Sequence, residues 1–261
     1  PAAELIFYQR RRFCAPTFPS CCDAHSVYRC LHAGAGKVLD LAMMLRRSFF
    51  ERDPLICARE LIGCQLRCGQ LSGLVVETEA YDTEGDEACH TAFRPSTRVF
   101  VESHNPGAAY VYFNYGVHWM LNVLVKGKRS GFVLIRALEP IHGLEVMKKA
   151  RGTDDPRQLC SGPGKLTKAL GITGVHHGRD LCTEANFSFW TAPSTPIVEV
   201  SLRVGISRAQ GLPWRFHAAE NLHVSRLPTK VMPGRKTIRL RPRETEIAKT
   251  PRRQKPYLSS I

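Results

Sequence analysis

The chain has 261 residues, 43% hydrophobic and 23% charged, and its 37 Lys and Arg against 23 Asp and Glu give a formal net charge of +14. One sizeable core is within reach of that length, and the charge excess favours polyanionic partners, nucleic acid first. No apolar run reaches the roughly 20 residues of a membrane span or forms a secretory leader, and the ten cysteines contain no C-x-x-C pair, against both a zinc ribbon and a disulfide scaffold.

In chain order, residues 1–43 carry Arg10-Arg11-Arg12 and no apolar periodicity. They read either as an Arg-rich targeting segment or as an appended extension, with low order expected. A globular part is expected over residues 44–226. It opens with a helix from Pro54 to Leu61, on apolar spacing at Leu55, Ala58 and Leu61. Strands are predicted over Cys64–Arg67, Leu71–Tyr81, Ala109–Phe113, Leu121–Val125 and Phe132–Ala137. Helices follow over Gly143–Arg151 and Gly162–Leu170, then strands over Val198–Val204 and Trp214–Val224. Short strands without long strand–helix alternation predict a single α+β domain. Its centre is a curved, open-barrel-like antiparallel sheet with surrounding helices. Residues 227–261 read as a flexible basic tail adding non-specific phosphate contacts.

Three stretches carry chemistry. In the run GLVVETEAYDTEGDEACH (Gly73 to His90), strand alternation puts Glu77, Glu79 and Tyr81 on one face. That face is either solvated or a cleft where a partly desolvated carboxylate gains basicity, as a general base requires. The run Tyr110-Val111-Tyr112-Phe113-Asn114-Tyr115 ends at a glycine turn, and it serves either the core or base stacking. Arg136, alone in an apolar strand, either pairs with the Glu77/Glu79 face or reaches solvent at an edge. The Gly-Lys at Gly164-Lys165 lacks the remaining elements of a phosphate loop, although its helix start suits a DNA phosphate.

Together these strings resemble the alkyladenine (3-methyladenine) DNA glycosylase family. The match runs through Val76–Tyr81, Asp86–His90, Ala109–Gly116, Leu121–Val123, Leu134–Pro140 and Leu159–Leu166, in order, within residues 45–225. The resemblance implies a monofunctional N-glycosyl hydrolase without a lyase step. It would flip alkylated or deaminated purines of the 3-methyladenine, 7-methylguanine and hypoxanthine type out of duplex DNA, starting base excision repair. By position, Glu79 would activate the attacking water and Arg136 would orient both. Tyr81, His90 and Tyr112 would form the aromatic slot, with the Ala88 and His90 backbone reading the base edge. Asn122 would close the pocket floor against guanine's amino group, and Tyr115 would wedge into the duplex. Lys165, Val204 and Gly205 would lie near phosphates, and Glu77 would support neighbouring groups.

The implied partner is double-stranded DNA bearing a damaged purine. No cofactor, no metal and no membrane are expected, and the protein is expected as a monomer in the cytoplasm, at the nucleoid or in a nucleus. Residues 91–98 and 101–107 lack the family's Gly-rich, Met-Phe-Gly-Pro wording, which leaves lesion preference open. Two rival readings stand beside this one. An O-glycoside hydrolase would use Glu77 and Glu79 as a carboxyl pair; a non-catalytic nucleic-acid-binding protein would release no base.

Overall fold

The computed structural model describes residues 42–192 and 194–225. The expectations for residues 1–41 and 227–261 therefore lie outside the described residues. A single turn, α1 (Arg47–Phe50), precedes α2 (Pro54–Glu60). The start of α2 is set locally: Pro54 presets φ for its first turn, and the Asp53 carboxylate accepts from the Leu55 N–H at 2.9 Å.

The strands are β1 (Gln65–Cys68), β2 (Leu71–Asp82), β3 (Ala109–Asn114), β4 (His118–Lys126), β5 (Ser130–His142), β6 (Phe187–Trp190), β7 (Val198–Ser201) and β8 (Arg215–Ala218). All pair antiparallel in one sheet, in the order β3-β4-β5-β2-β1-β6; β8 joins the far half of β2 and carries β7 outside it. The expected α+β domain on a curved antiparallel sheet is thus the observed one.

Two bulges shape its middle. Glu77 pairs with Ala137 while Thr78 pairs with Ile135, so Arg136 is an extra residue on β5; likewise Val76 is extra on β2 between the Val75 and Glu77 pairs. Bulges bend a strand and re-aim a side chain. Here the sheet curls, and Arg136 turns towards the glutamate face.

The other face holds the core. Val76, Ala80, Leu121, Val123, Val133 and Ile135 pack there under Phe50, Ala58 and Leu61 of the first helices and Leu166 and Leu170 of α6 (Pro163–Leu170). Each large side chain so buried contributes about 1.5–3 kcal/mol. Thr78 shares this face because its hydroxyl donates to the Ala58 carbonyl at 2.7 Å. Gly131, opposite Asp82, is obligatory, since a Cβ there would lie 2.3 Å from the Tyr81 carbonyl oxygen.

Several elements depart from expectation. The divergent residues 95–103 form a helix, α3, started by Pro95 and anchored by buried Thr97 and Phe100. Short α5 (Pro156–Leu159) and β6 were not predicted, while α4 (Leu144–Arg151) and α6 fall where helices were. The strand expected over Trp214–Val224 contracts to β8, because the chain turns at Glu220 with φ +57°. The strand expected over Val198–Val204 stops at Ser201, as Arg203 turns inward and Gly205 adopts φ +79°. At one end the Thr191 N–H donates to the Met43 carbonyl and the Met43 N–H to Thr191 Oγ1, beside a bridge between Met44 and Trp190 of β6. No helix among the described residues is long and apolar enough to cross a membrane.

Candidate active site

The concave face of the sheet gathers the chemistry-bearing residues into one ladder row. Tyr110 pairs with Asn122, Asn122 with Leu134, Leu134 with Glu79, and Glu79 with Arg215. Alternation adds Tyr112 and Asn114 on β3, Met120 on β4, Phe132 and Arg136 on β5, and Tyr81 on β2. With the loops around Ala88–Phe93, Ser161–Lys165 and Val204–Arg208, all of these side chains but Glu79 and Arg215 line a cavity of about 730 Å³. That volume lies within the roughly 300–1,000 Å³ range of small-molecule sites.

Glu77 and Glu79 are both 0% exposed, which removes the solvated-face reading. Their environments differ. Glu77 accepts from Arg136 Nε at 2.8 Å, Arg215 Nε at 2.7 Å, Ser225 N at 2.7 Å and Ser225 Oγ at 3.0 Å. Burial pushes its carboxyl up, but Arg136, Arg215 and Ser225 together hold it below the ordinary carboxylate range.

Glu79 has fewer donors. Its Oε2 accepts from the Tyr81 hydroxyl at 2.8 Å and lies 3.2 Å from Arg136 Nη1, and its Oε1 accepts from the Val204 N–H at 2.7 Å. Burial prevails, so its carboxyl is raised above the ordinary range despite Arg136 and those hydrogen bonds. Two carboxylates two residues apart are thus pushed in opposite directions, the arrangement by which one site assigns a charged support and a base. Glu79 itself has no exposed surface; Tyr81, Arg136 and Val204, which hold it, form the cavity wall in front of it.

Arg136 is buried and bridges both glutamates, which settles it as paired rather than an edge residue. A guanidinium in an apolar strand is stable here because its donors meet two carboxylates and the Val204 carbonyl.

On the aromatic side, the His90 and Tyr112 rings lie 4.3 Å apart, and His90 Nδ1 is 3.0 Å from the Tyr110 hydroxyl, which reaches Thr97 Oγ1 at 2.8 Å. Burial, with Arg94 nearby, lowers His90 to about 4, so the imidazole is neutral at physiological pH. The Ala88 N–H is donated to Asp86 at 3.1 Å, and Ala88 lines the cavity. Asn122 is buried and donates to the Tyr110 carbonyl at 3.2 Å.

Tyr115 stands apart: 90% exposed at the tip of the β3–β4 hairpin, with φ +50° beside Gly116 at +66°. A non-glycine residue there costs roughly 1–2 kcal/mol, and such strain concentrates at functional positions. Lys165 lines the cavity and donates to Gln158 at 2.8 Å. Val204 spends its N–H on Glu79 and its carbonyl on Arg136, so it sits at the carboxylate, while Gly205 lines the cavity.

Four residues of the site escaped the sequence reading. Arg215 and Ser225 complete the shell of Glu77, and Asp86 with Arg203 forms a buried ion pair behind Tyr81. For Arg215 the signal existed: a lone Arg inside Trp214-Arg215-Phe216, the same anomaly that marks Arg136. Asp86 and Arg203 are 117 positions apart, with no local pattern to link them.

Comparison with known proteins gives a consistent picture. A family model described as methylpurine-DNA glycosylase matches residues 48–222. A relative from Rhodopseudomonas palustris strain CGA009, provisionally named a 3-methyladenine DNA glycosylase, is 45% identical over 187 residues, covering 71% of this chain and 90% of that protein. A relative of the same provisional name from strain BisB5 is 46% identical over 191 residues, 73% and 92% of the two chains. One from Nitrosospira multiformis, named likewise, is 43% identical over 179 residues, 68% and 91% of the two chains.

Proposed function

The chain belongs to the methylpurine-DNA glycosylase family, and from that premise we propose that it excises damaged purines, 3-methyladenine, 7-methylguanine and hypoxanthine among them, from double-stranded DNA by hydrolysing the N-glycosidic bond. The observation that carries this is Glu79: a buried carboxylate of raised basicity, gripped by Tyr81, Val204 and Arg136 at the wall of an aromatic cavity.

A purine inside a duplex is out of reach, so it must be extruded, at a cost of a few kcal/mol that falls for damaged or mispaired bases. Tyr115, exposed and strained at its hairpin tip, fills the gap in the stack. The flipped base enters between Tyr81 on one side and His90 with Tyr112 on the other. The Ala88 carbonyl and the His90 N–H read its edge, one as acceptor and one as donor. Asn122 occupies the floor where guanine's amino group would have to sit. A cationic alkylated purine gains a further ~0.5–2 kcal/mol from the aromatic faces. Lys165 and the Val204–Gly205 turn lie where the cavity opens to the backbone of the flipped nucleotide.

Oε1 of Glu79 accepts from the Val204 N–H and keeps a lone pair for a second donor, which reaches it once the wall of Tyr81, Arg136 and Val204 parts around the flipped nucleotide. A water held there and oriented by Arg136 gives a proton to Glu79 as its oxygen attacks the anomeric carbon. The bond to the purine nitrogen breaks, and free base and an abasic site result. Two features support the assignment of Glu77 to holding Arg136 and Arg215: its full set of donors and its low basicity. The four hydrogen bonds that occupy Glu77 also argue against an O-glycosidase carboxyl pair, in which both carboxyls must face the sugar. The test is chromatography of duplex DNA treated with a methylating agent and incubated with the protein. Free 3-methyladenine, with abasic sites and unbroken strands, is expected; salt-sensitive binding with no free base would overturn the proposal in favour of a binding protein.

A further inference from the structure

Behind Tyr81 lies an ion pair that the chemistry above does not use. The Asp86 and Arg203 side chains are both 0% exposed, and the guanidinium grips the carboxylate at 2.6 and 2.8 Å. Arg203 also donates to the Ala80 carbonyl at 3.1 Å and the Ala209 carbonyl at 3.2 Å, and its carbon lies 4.6 Å from the Tyr81 ring centre and 5.2 Å from that of Trp214. Asp86 in turn accepts from the Ala88 N–H at 3.1 Å and the Asp82 N–H at 3.3 Å. The residue after Arg203 is Val204, whose N–H holds Glu79.

We propose that this pair positions the site and sets its lesion range: it locks the base-reading loop at Ala88 to the wall that holds Glu79. The inference rests on the glycosylase reading. A buried ion pair adds little net stability over apolar residues of the same volume, so stability alone is a weak reason for one here. This pair even leaves Arg203 Nε buried without a hydrogen-bond partner among the described residues. What it does is geometric. Its donors and acceptors end on the backbone of three cavity segments, the end of β2, the 82–88 loop and the 203–209 loop, while its plane backs the Tyr81 ring.

The consequence differs between substrates. A cationic base such as 3-methyladenine is already a good leaving group and needs only stacking and a water. A neutral base such as hypoxanthine depends on the hydrogen bonds at its edge and on their register with Glu79, where a 1 Å error costs on the order of 10²-fold. Loosening the pair therefore falls hardest on the neutral lesion.

The experiment measures single-turnover release of 3-methyladenine and of hypoxanthine by the wild type, Asp86→Asn and Arg203→Lys, at a temperature where circular dichroism shows each protein folded. Asp86→Asn removes the charge and keeps the acceptor for Ala88. Arg203→Lys keeps the ion pair and drops the reach to Ala80 and Ala209, so it carries the test if the first variant does not fold. The wild type is expected to release both bases, and the variants to lower the hypoxanthine-to-3-methyladenine rate ratio by about tenfold or more. An equal fall for both bases, as a purely structural role would give, overturns the inference, as does a wild type active on 3-methyladenine and silent on hypoxanthine. A wild type that releases neither base refutes the glycosylase reading itself.

Discussion

Glu77→Gln separates the two carboxylates most sharply. The substitution keeps the shape and removes the carboxylate that both Arg136 and Arg215 bind, leaving their buried guanidiniums without that shared charge. The Gln amide nitrogen must also face either the Ser225 N–H or both arginine Nε donors, which creates at least one donor–donor contact. Breaking a buried pair in this way costs about 3–5 kcal/mol. For a domain of this size each kcal/mol lowers Tm by about 2–4 °C, so a fall of about 6–20 °C is expected. The pH dependence supplies a second signature. Glu77 is held below its unfolded pKa, so its stabilisation is present above the ordinary carboxylate value of about 4.3 and is lost as pH falls through the folded value. The Tm gap between wild type and variant should therefore stay constant near neutrality and narrow in acid. The charge on Glu77 also raises Glu79. Its removal should move the acid limb of the rate profile to lower pH, with substantial activity retained. Thermal melts from pH 7 down to about 2, and single-turnover rates over the part of that range where both proteins stay folded, test this. An unchanged Tm, an acid limb moving upward, or a folded variant as inactive as one lacking Glu79 would refute the division of roles.

Other outcomes follow from the same geometry. Tyr115→Gly should relieve roughly 1 kcal/mol of left-handed strain and raise Tm slightly, while excision from duplex falls about tenfold or more relative to single-stranded DNA, where no wedge is needed. Asn122→Ala should release measurable guanine from undamaged DNA, detected by chromatography of the free bases, because the pocket floor no longer excludes the amino group. Burial holds His90 near 4, so between its unfolded value of about 6.5 and pH 4 the unfolded chain binds a proton that the folded one refuses, and stability declines. His90→Gln should flatten that part of the melting profile; a decline as steep as the wild type's would contradict it.

Period-2 patterning put Glu77, Glu79 and Tyr81 on one face, and the structure agrees, because the bulge after Glu77 adds its extra residue to β5 and leaves the alternation of β2 intact. The same rule could not foresee Val76 and Arg136 as bulge residues, since a bulge is set by the partner strand. The depth of Glu77 was equally hidden: its shell is completed by Arg215 and Ser225, 138 and 148 positions away. Where local punctuation is strong, as at Pro54 and Gly162-Pro163, helix starts were legible. In residues 95–103 a helix escaped notice although Pro95 marks its start, because only Thr97 and Phe100 bury themselves against the rest of the fold. The strand expected through Val224 failed for a related reason: backbone turning at Glu220 overrode apolar spacing.

The role of Glu79 as base is read out by single-turnover release of 3-methyladenine from duplex DNA by the wild type and by Glu79→Gln, with folding and DNA affinity checked in parallel. Loss of a general base predicts a rate lower by about 10²–10⁴-fold, with binding retained. A folded Glu79→Gln protein within tenfold of the wild-type rate would contradict the account.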